Sequence, residues 1–475
     1  MSENTKVVTR FAPSPTGFIH VGNVRAALYA WLWTKKNNGT FILRIEDTDK
    51  EREVEGSIAH IIESLKWLGL DWDEGPGVDG PNKPYLQSER LDTYKKYAQI
   101  FIDKGLAYPD PYTEEQVEEF RKKAEEEKRP FLYRDHRPEV FETWDGTKPL
   151  RFKIPEIKTY HWHDVVFGDL SAGPEALDDF IMIKSDGYPT YNFAHIVDDT
   201  EMGITLVMRG QEYISSTPKY LAMYEALGIK PPVYACLPHV LAPGGQKKLG
   251  KRDGAKDVLD YRNEGYLPET MINFLSFLGW NPGGEKEIFT REELINIFEI
   301  DRIQKSGAQM NLEKLDWMNK EHMKLLPKEE VEKNILERLP DDFKNPKIVP
   351  MIFERIVKWS DVETMLSSGE LNYFVNTPEY LKEKLNYKDT TVEKTSENLN
   401  LIIGALESIE EADFNLENIK TAVMSIADQA ESRGAVLHPM RYALTGLDKS
   451  PDPFTVASIL GKNETINRLQ KAVSF

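Results

Sequence analysis

The chain has 475 residues, 40% of them hydrophobic and 29% charged, with a formal net charge of −18 and a single cysteine, Cys236. That length calls for several domains, the charge excludes a non-specific nucleic-acid binder, which needs clustered Lys and Arg, and one cysteine excludes an internal disulfide or a multi-cysteine metal site. The longest apolar runs, such as Met271 to Trp280 with its internal Asn273 and Ser276, are too short to span a bilayer, and Met1 to Lys6 is polar, so a cytoplasmic protein with no membrane partner and no targeting segment is expected.

The first informative stretch is Arg10 to Asn23. Val7 and Val8 supply a short buried strand, Pro13, Pro15 and Gly17 break the chain, and Val24, Ala27, Leu28, Trp31 and Leu32 then form one apolar helix face. A helix that begins here aims its unpaired N–H groups and the positive end of its dipole above the strand ends, which suits a polyphosphate. His20 and Asn23 share a face and can reach the same phosphate; a Pro-rich turn with a histidine at a helix start is the plainer alternative. Phe41 to Glu46 alternates as a strand, with Ile42, Arg44 and Glu46 on one side. A carboxylate at its carboxyl end can meet a substrate amine, while Asp47 and Asp49 read as a turn and helix cap ahead of Glu51 and Glu53 in a first helical turn.

Thr113 to Lys128 reads as a solvated helix laced with Glu and Lys and capped by Thr113. His161 and His163 alternate on a strand, lack an evident third metal ligand, and read as exposed strand histidines. Ile204 to Met208 is strand-like and leads to Arg209, and Val233 to Leu241 is a further apolar run ended by Pro243-Gly244-Gly245. The charged loop Gln246 to Asp253 then carries Lys247, Lys248, Lys251 and Arg252 ahead of helical Val258 to Arg262, as either a clamp for triphosphate charge or a solvated basic turn. Beyond Pro327 the patterns are helical, with Ile419, Val423, Ile426, Ala427 and Ala430 on one face and no strand-rich segment. From Glu431 onward six basic residues stand against four acidic, so this end is locally positive.

Pro13-Ser14-Pro15-Thr16-Gly17 with His20-Val21-Gly22-Asn23, Arg44 to Asp49, Ser185 to Asn192 with Asp198-Asp199, Arg209-Gly210 and Lys248 to Arg252 together resemble the ordered motifs of the class I aminoacyl-tRNA synthetases in their bacterial glutamyl form. The first matches the HIGH signature and the last the KMSKS loop; Pro439 to Gly446 resembles the family's C-terminal signature. The resemblance implies a multidomain α/β plus all-α protein. A Rossmann-type catalytic domain in two halves (1–105 and 204–253) would carry an inserted acceptor-stem-binding domain (106–203), followed by a stem-contact domain (254–326) and a helical anticodon-binding domain (327–475).

The implied activity is ATP-dependent conversion of L-glutamate to glutamyl-adenylate and transfer to the 3′-terminal adenosine of tRNA(Glu). The implied enzyme is a monomer using ATP and Mg²⁺, without zinc, because Tyr108 to Tyr112 lacks the cysteines that many relatives carry there. For ATP the resemblance implies Pro13, Thr16, Gly17, His20, Gly22, Asn23, Val240, Lys248, Lys251 and Arg252, with His20, Asn23, Lys248 and Lys251 closest to the chemistry. For glutamate it implies Arg10 and Arg209 at the carboxylates, Glu46 at the ammonium, and Ala12, Ser14, Tyr191 and His195 around them. A guanidinium matches a carboxylate and offers no acceptor to an amide NH₂, so glutamine is expected to be rejected. Gly250 stands where the family usually has Ser, which leaves a catalytically impaired tRNA-binding paralogue as the alternative. A nucleotidyltransferase on the same kind of site would not need the long helical half.

Overall fold

A computed structural model describes residues 6–78, 80–245, 247–250 and 256–474. They form two compact units, Met1–Asn263 with Leu267–Met318, and Glu264–Tyr266 with Asn319–Phe475.

The first unit runs β1 (Val8–Phe11), α1 (Val21–Lys36), β2 (Thr40–Leu43), α2 (Ser57–Leu68), α3 (Leu91–Asp103), β3 (Ala107–Pro109), α4 (Glu114–Glu126), β4 (Leu150–Phe152), β5 (Tyr160–Asp164), β6 (Gly168–Ala172) and β7 (Phe180–Ile183). It continues through α5 (Tyr191–Glu201), β8 (Leu206–Gly210), α6 (Thr217–Leu227), β9 (Val233–Leu237), β10 (Val240–Leu241), α7 (Val258–Asn263), α8 (Pro268–Ser276), α9 (Arg291–Ile297) and β11 (Ala308–Gln309) into α10 (Leu312–Met323). β1 pairs with β2 in parallel, joined by α1 as a crossover, and β8 pairs with β9 in parallel from Leu206↔Val233 to Gly210↔Leu237. Thr205 N–H donates to Val8 O at 2.9 Å and brings the two parallel pairs side by side. Helices cover such a sheet on both faces, so its strands are buried throughout. All of Thr40 to Leu43 is buried, and so are Val24, Ala27, Leu28, Trp31 and Leu32 of α1, the face expected from their spacing.

One expectation for the segment after β2 changes. Phe41 to Glu46 is buried on both sides, so its alternation separates an apolar face from an ionic one instead of core from solvent. Asp47 and Asp49 do not cap a helix: α2 begins only at Ser57, Asp47 Oδ1 accepts from Ser88 N–H at 2.8 Å, and Asp49 accepts from Arg52 Nε at 2.7 Å. A buried carboxylate finds better compensation in a remote backbone donor and hydroxyl than at a solvated cap.

The ionic face is a closed cluster. Arg44, fully buried, donates to Asp199 Oδ1 at 2.8 Å and to Glu46 Oε1 at 3.0 Å; Arg10 Nε meets Asp199 Oδ1 at 3.0 Å; Arg90 Nε meets Asp198 Oδ1 at 2.7 Å. Three guanidiniums thus balance three carboxylates. Burial alone would raise the Asp199 carboxyl, but Arg10 and Arg44 outweigh it and hold the group below the ordinary range. At Glu46 burial outweighs Arg44 and Arg10, and its carboxyl is raised.

Between α3 and α5 lie an antiparallel sheet of order β3-β4-β7 and α4, whose Thr113 N-cap and Gln116 form a reciprocal capping box. In the stretch that lacks cysteines, Asp110 Oδ2 accepts from Arg151 Nε at 2.7 Å. His161 and His163 are exposed on β5, and His163 Nδ1 lies 2.7 Å from Asp169 Oδ1. Cys236 is buried in β9.

The second unit is helical: α11 (Lys328–Arg338), α12 (Val349–Arg355), α13 (Asp361–Ser367), α14 (Val392–Glu407), α15 (Leu416–Ala427), α16 (Arg433–Thr445), α17 (Pro453–Leu460) and α18 (Lys462–Val473), with no strand among its described residues. Ile419, Val423 and Ala427 enter its core, and Ile426 and Ala430 flank them half-buried. Among the described residues no helix is long and apolar enough to cross a membrane.

Candidate active site

The carboxyl ends of β1, β8 and β9 open into one cavity of about 580 Å³, lined at those ends by Phe11, Gly210 and Leu237. Ligand sites of open α/β sheets lie at this edge. From β1 the chain turns through Ala12, Pro13, Ser14, Thr16 and Gly17, all on the wall, with Gly17 at φ +148°, a value that favours glycine. His20 is the extended N-cap of α1 and its Nδ1 accepts from Gly22 N–H at 3.1 Å. No acidic residue occupies the first turn of the 16-residue helix, so its positive end faces the cavity without a neutralising carboxylate. His20, Gly22 and Asn23 all line the cavity, Asn23 exposed.

A Cβ on Gly22 would stand 2.9 Å from His20 Cε1 and 3.1 Å from Nδ1. Gly22→Ala should therefore push the imidazole off its cap while improving helix propensity. Pyrophosphate exchange is expected to fall about tenfold or more, with stability unchanged or raised by up to about 1 kcal/mol. Exchange equal to that of the unsubstituted protein, in parallel with its thermal unfolding, would show that the imidazole's position is not limiting.

On the opposite wall stands Arg209, at the end of β8 and only 5% exposed. Its Nη2 donates to Thr217 Oγ1 at 3.2 Å, whereas Nε and Nη1 are buried without a hydrogen-bond partner. The rings of Tyr213, Tyr220 and Tyr234 surround the guanidinium at 5.4, 4.9 and 4.9 Å, and no carboxylate pairs with it among the described residues. A buried cation left in this way is costly unless an anion joins it. Arg10 differs. It also lines the cavity, but Asp199 already takes its Nε and, at 3.3 Å, its Nη2, so the two arginines are not equivalent as the resemblance suggested.

Glu46 lines the cavity with one oxygen held by Arg44, and Tyr191 lines it from the first residue of α5. His195 does not line the cavity. It lies one helical turn behind Tyr191, stacked on that ring at 4.7 Å, edge-on to Tyr220 at 4.5 Å, with Nδ1 2.7 Å from Tyr191 O. A carbonyl only accepts, so Nδ1 carries the proton, and burial pulls the imidazole down to about 3. His195 is thus a neutral prop for Tyr191.

Val240 forms part of the wall, and its carbonyl accepts from Leu249 N–H at 2.8 Å. Lys248 also lines the cavity, half-exposed, with Nζ 3.0 Å from Glu212 Oε1. Lys251 and Arg252 lie outside the described residues. Sequence reasoning missed Glu212, Tyr213 and His239, which also line the cavity. The signal for two of them was spacing, since the short 3₁₀ helix Gln211–Ser216 directly after Arg209 and Gly210 keeps Glu212 and Tyr213 beside the cavity. No group of three or more His, Cys, Asp or Glu among the described residues is arranged to hold a metal ion.

Two families match this chain: tRNA synthetases class I (E and Q), catalytic domain, over residues 6–317, and an anticodon binding domain over residues 314–473. A glutamate–tRNA ligase of Clostridium botulinum is 42% identical over 480 residues, covering 98% of this chain and 97% of the relative. One of Clostridium kluyveri is 42% identical over 487 residues, covering 99% and 98%. Among solved structures, a glutamate tRNA ligase from Elizabethkingia meningosepticum in complex with its amino acid superposes with a TM-score of 0.88 at 35% identity, covering 99% of both chains.

Proposed function

This chain belongs to the class I tRNA synthetases of the E and Q type, and on that basis we propose that it is a glutamate–tRNA ligase whose active site is the cavity at the ends of β1, β8 and β9. The observation that carries the site assignment is Arg209, a buried guanidinium with two unpartnered nitrogens in the wall of that cavity. A γ-carboxylate can meet the Nη1/Nη2 edge of the guanidinium in a bidentate pair, and the amide of glutamine cannot.

In the first step an α-carboxylate oxygen of glutamate attacks the α-phosphorus of ATP and pyrophosphate leaves. In the second, a ribose hydroxyl of the terminal adenosine attacks the anhydride carbonyl and AMP leaves. Both need orientation and charge stabilisation more than a protein nucleophile. The α-carboxylate must meet the phosphates at the start of α1, which leaves the side-chain carboxylate for Arg209, with Tyr191 beside it. Glu46 accepts from the ammonium, and Ala12, Ser14 and Arg10 shape the turn around it. His20 and Asn23, with Pro13, Thr16, Gly17 and Gly22, hold the phosphates against the helix terminus. Lys248 exchanges Glu212 for pyrophosphate oxygens, Lys251 and Arg252 add charge from the same loop, and Val240 borders the adenine. Magnesium would neutralise triphosphate charge when bound with the nucleotide. A monomer working in the cytoplasm, with an acceptor-binding insertion over 106–203 and a stem-contact segment over 254–326, completes the reading. No observation favours the impaired paralogue. ATP-dependent attachment of labelled glutamate to tRNA(Glu) tests the whole of it.

The helical unit would read the anticodon by stacking and hydrogen-bonding unpaired bases, as is usual for single-stranded loops. Replacing one anticodon base of tRNA(Glu) should lower kcat/KM for charging by about tenfold to a hundredfold, the range for one lost base contact. Equal charging of altered and natural tRNA would remove that role from the unit.

A further inference from the structure

One side chain outside the cavity ties together two segments that border it. His60, on α2, stacks on Phe18 with ring centroids 4.4 Å apart and planes 19° from parallel, and its Nε2 stands 2.7 Å from Asp257 Oδ2. Phe18 belongs to the turn before α1 and lines the cavity. Asp257 follows the basic loop: its backbone bridges that of His20, the next residue's N–H donates to Ile19 O at 3.2 Å, and its Oδ1 accepts from Leu259 N–H at 2.8 Å, capping α7. Three residues along the same face of α2, Glu63 Oε1 takes Arg262 Nη1 at 2.7 Å at the other end of α7. One helix therefore grips α7 at both ends and also grips the turn that forms the nucleotide wall, through the His60 ring on Phe18 and through Ser57 Oγ, which donates to Gly17 O at 2.8 Å.

We propose that His60 is a positioning residue for ATP: it locks the Phe18 wall, the His20 cap and the Asp257 anchor into one register. The inference rests on the cavity's being a nucleotide site. His60 itself does not line the cavity, so its action passes through Phe18 and Asp257. Both interacting side chains are shielded, His60 12% and Asp257 19% exposed, which strengthens the pair relative to a solvated one. A turn that drifts by an ångström misplaces every phosphate donor it carries.

The test compares His60→Ala, His60→Gln and Asp257→Asn in the full-length protein by calorimetric titration with ATP, titration with glutamate, and thermal unfolding. His60→Ala should weaken ATP binding about tenfold, the loss of a close polar contact to a shielded carboxylate and of a ring contact, while glutamate affinity stays within about twofold and the unfolding midpoint within about 4 °C. His60→Gln, which can still place an N–H beside the Asp257 carboxylate, should recover part of the loss. Asp257→Asn combined with His60→Ala should be no worse than the poorer single variant, because the two act as one unit. A merely structural role would lower the midpoint and weaken both ligands alike, and that result, or unchanged ATP affinity in His60→Ala, overturns the inference. A wild-type protein that binds ATP but charges no tRNA sinks the proposed function and leaves this inference standing; one that binds no ATP overturns both.

Discussion

Arg209→Ala should lower kcat/KM for glutamate by about two to four powers of ten while leaving the protein as stable as before. The kinetic loss follows from two charge-assisted bonds to a carboxylate, each worth about 1.5 to 3 kcal/mol when desolvated. The stability expectation runs against the usual rule for truncating a buried side chain, which costs about 2 to 5 kcal/mol. Here the side chain carries an unpaired cation into the protein, and removing it removes a desolvation cost along with the packing. Arg209→Lys should restore little, because a point charge cannot supply the two-pronged match. The measurements are charging kinetics with varied glutamate and urea unfolding without it. A kcat/KM within about threefold of the unsubstituted enzyme would remove Arg209 from glutamate recognition.

Asp199→Ala should have the opposite signature, a large loss of stability that precedes any effect on chemistry. It leaves Arg10 and Arg44 buried without their shared partner, and breaking a buried pair from one side costs about 3 to 5 kcal/mol. Asp199→Asn keeps one acceptor oxygen and should fall between. The pH dependence follows from the direction of the shift. The folded carboxyl is held below its unfolded value, so its contribution is fully present above the ordinary carboxylate range and is lost as pH falls through that range toward the folded value. Glu46 works the other way: its raised carboxyl costs stability while ionised, and acidification relieves that cost. The gap between wild type and Asp199→Ala should accordingly be widest near neutrality and shrink on the acid side. Urea midpoints at neutral and acid pH measure it. A variant within about 1 kcal/mol of wild type at neutral pH would mean the cluster does not hold the sheet together.

The parts of the fold that were legible in the sequence are those set by local pattern. The spacing of Val24, Ala27, Leu28, Trp31 and Leu32 fixed the buried face of α1, and Thr113 marked the start of α4. The parts that were not legible depend on residues distant in the chain. Nothing local to Arg10 distinguishes it from Arg209. Asp199, 189 positions away, neutralises the first, and the absence of any such partner among the described residues leaves the second open to an anion. Asp47 resembled a cap because acidic residues before a polar stretch usually are, and Ser88, 41 positions on, claims it instead. His195 follows Tyr191 by one turn of α5, a spacing that places it on the same face but behind the ring that meets the cavity.

The most direct measurement of the central claim is the attachment of labelled amino acid to purified tRNA(Glu) by the full-length protein, with ATP present or withheld and with glutamate or glutamine offered. The account predicts glutamyl-tRNA only when ATP is present, with glutamine excluded by the guanidinium of Arg209. Attachment of glutamine at a comparable rate, or no attachment of glutamate with ATP present, would contradict it.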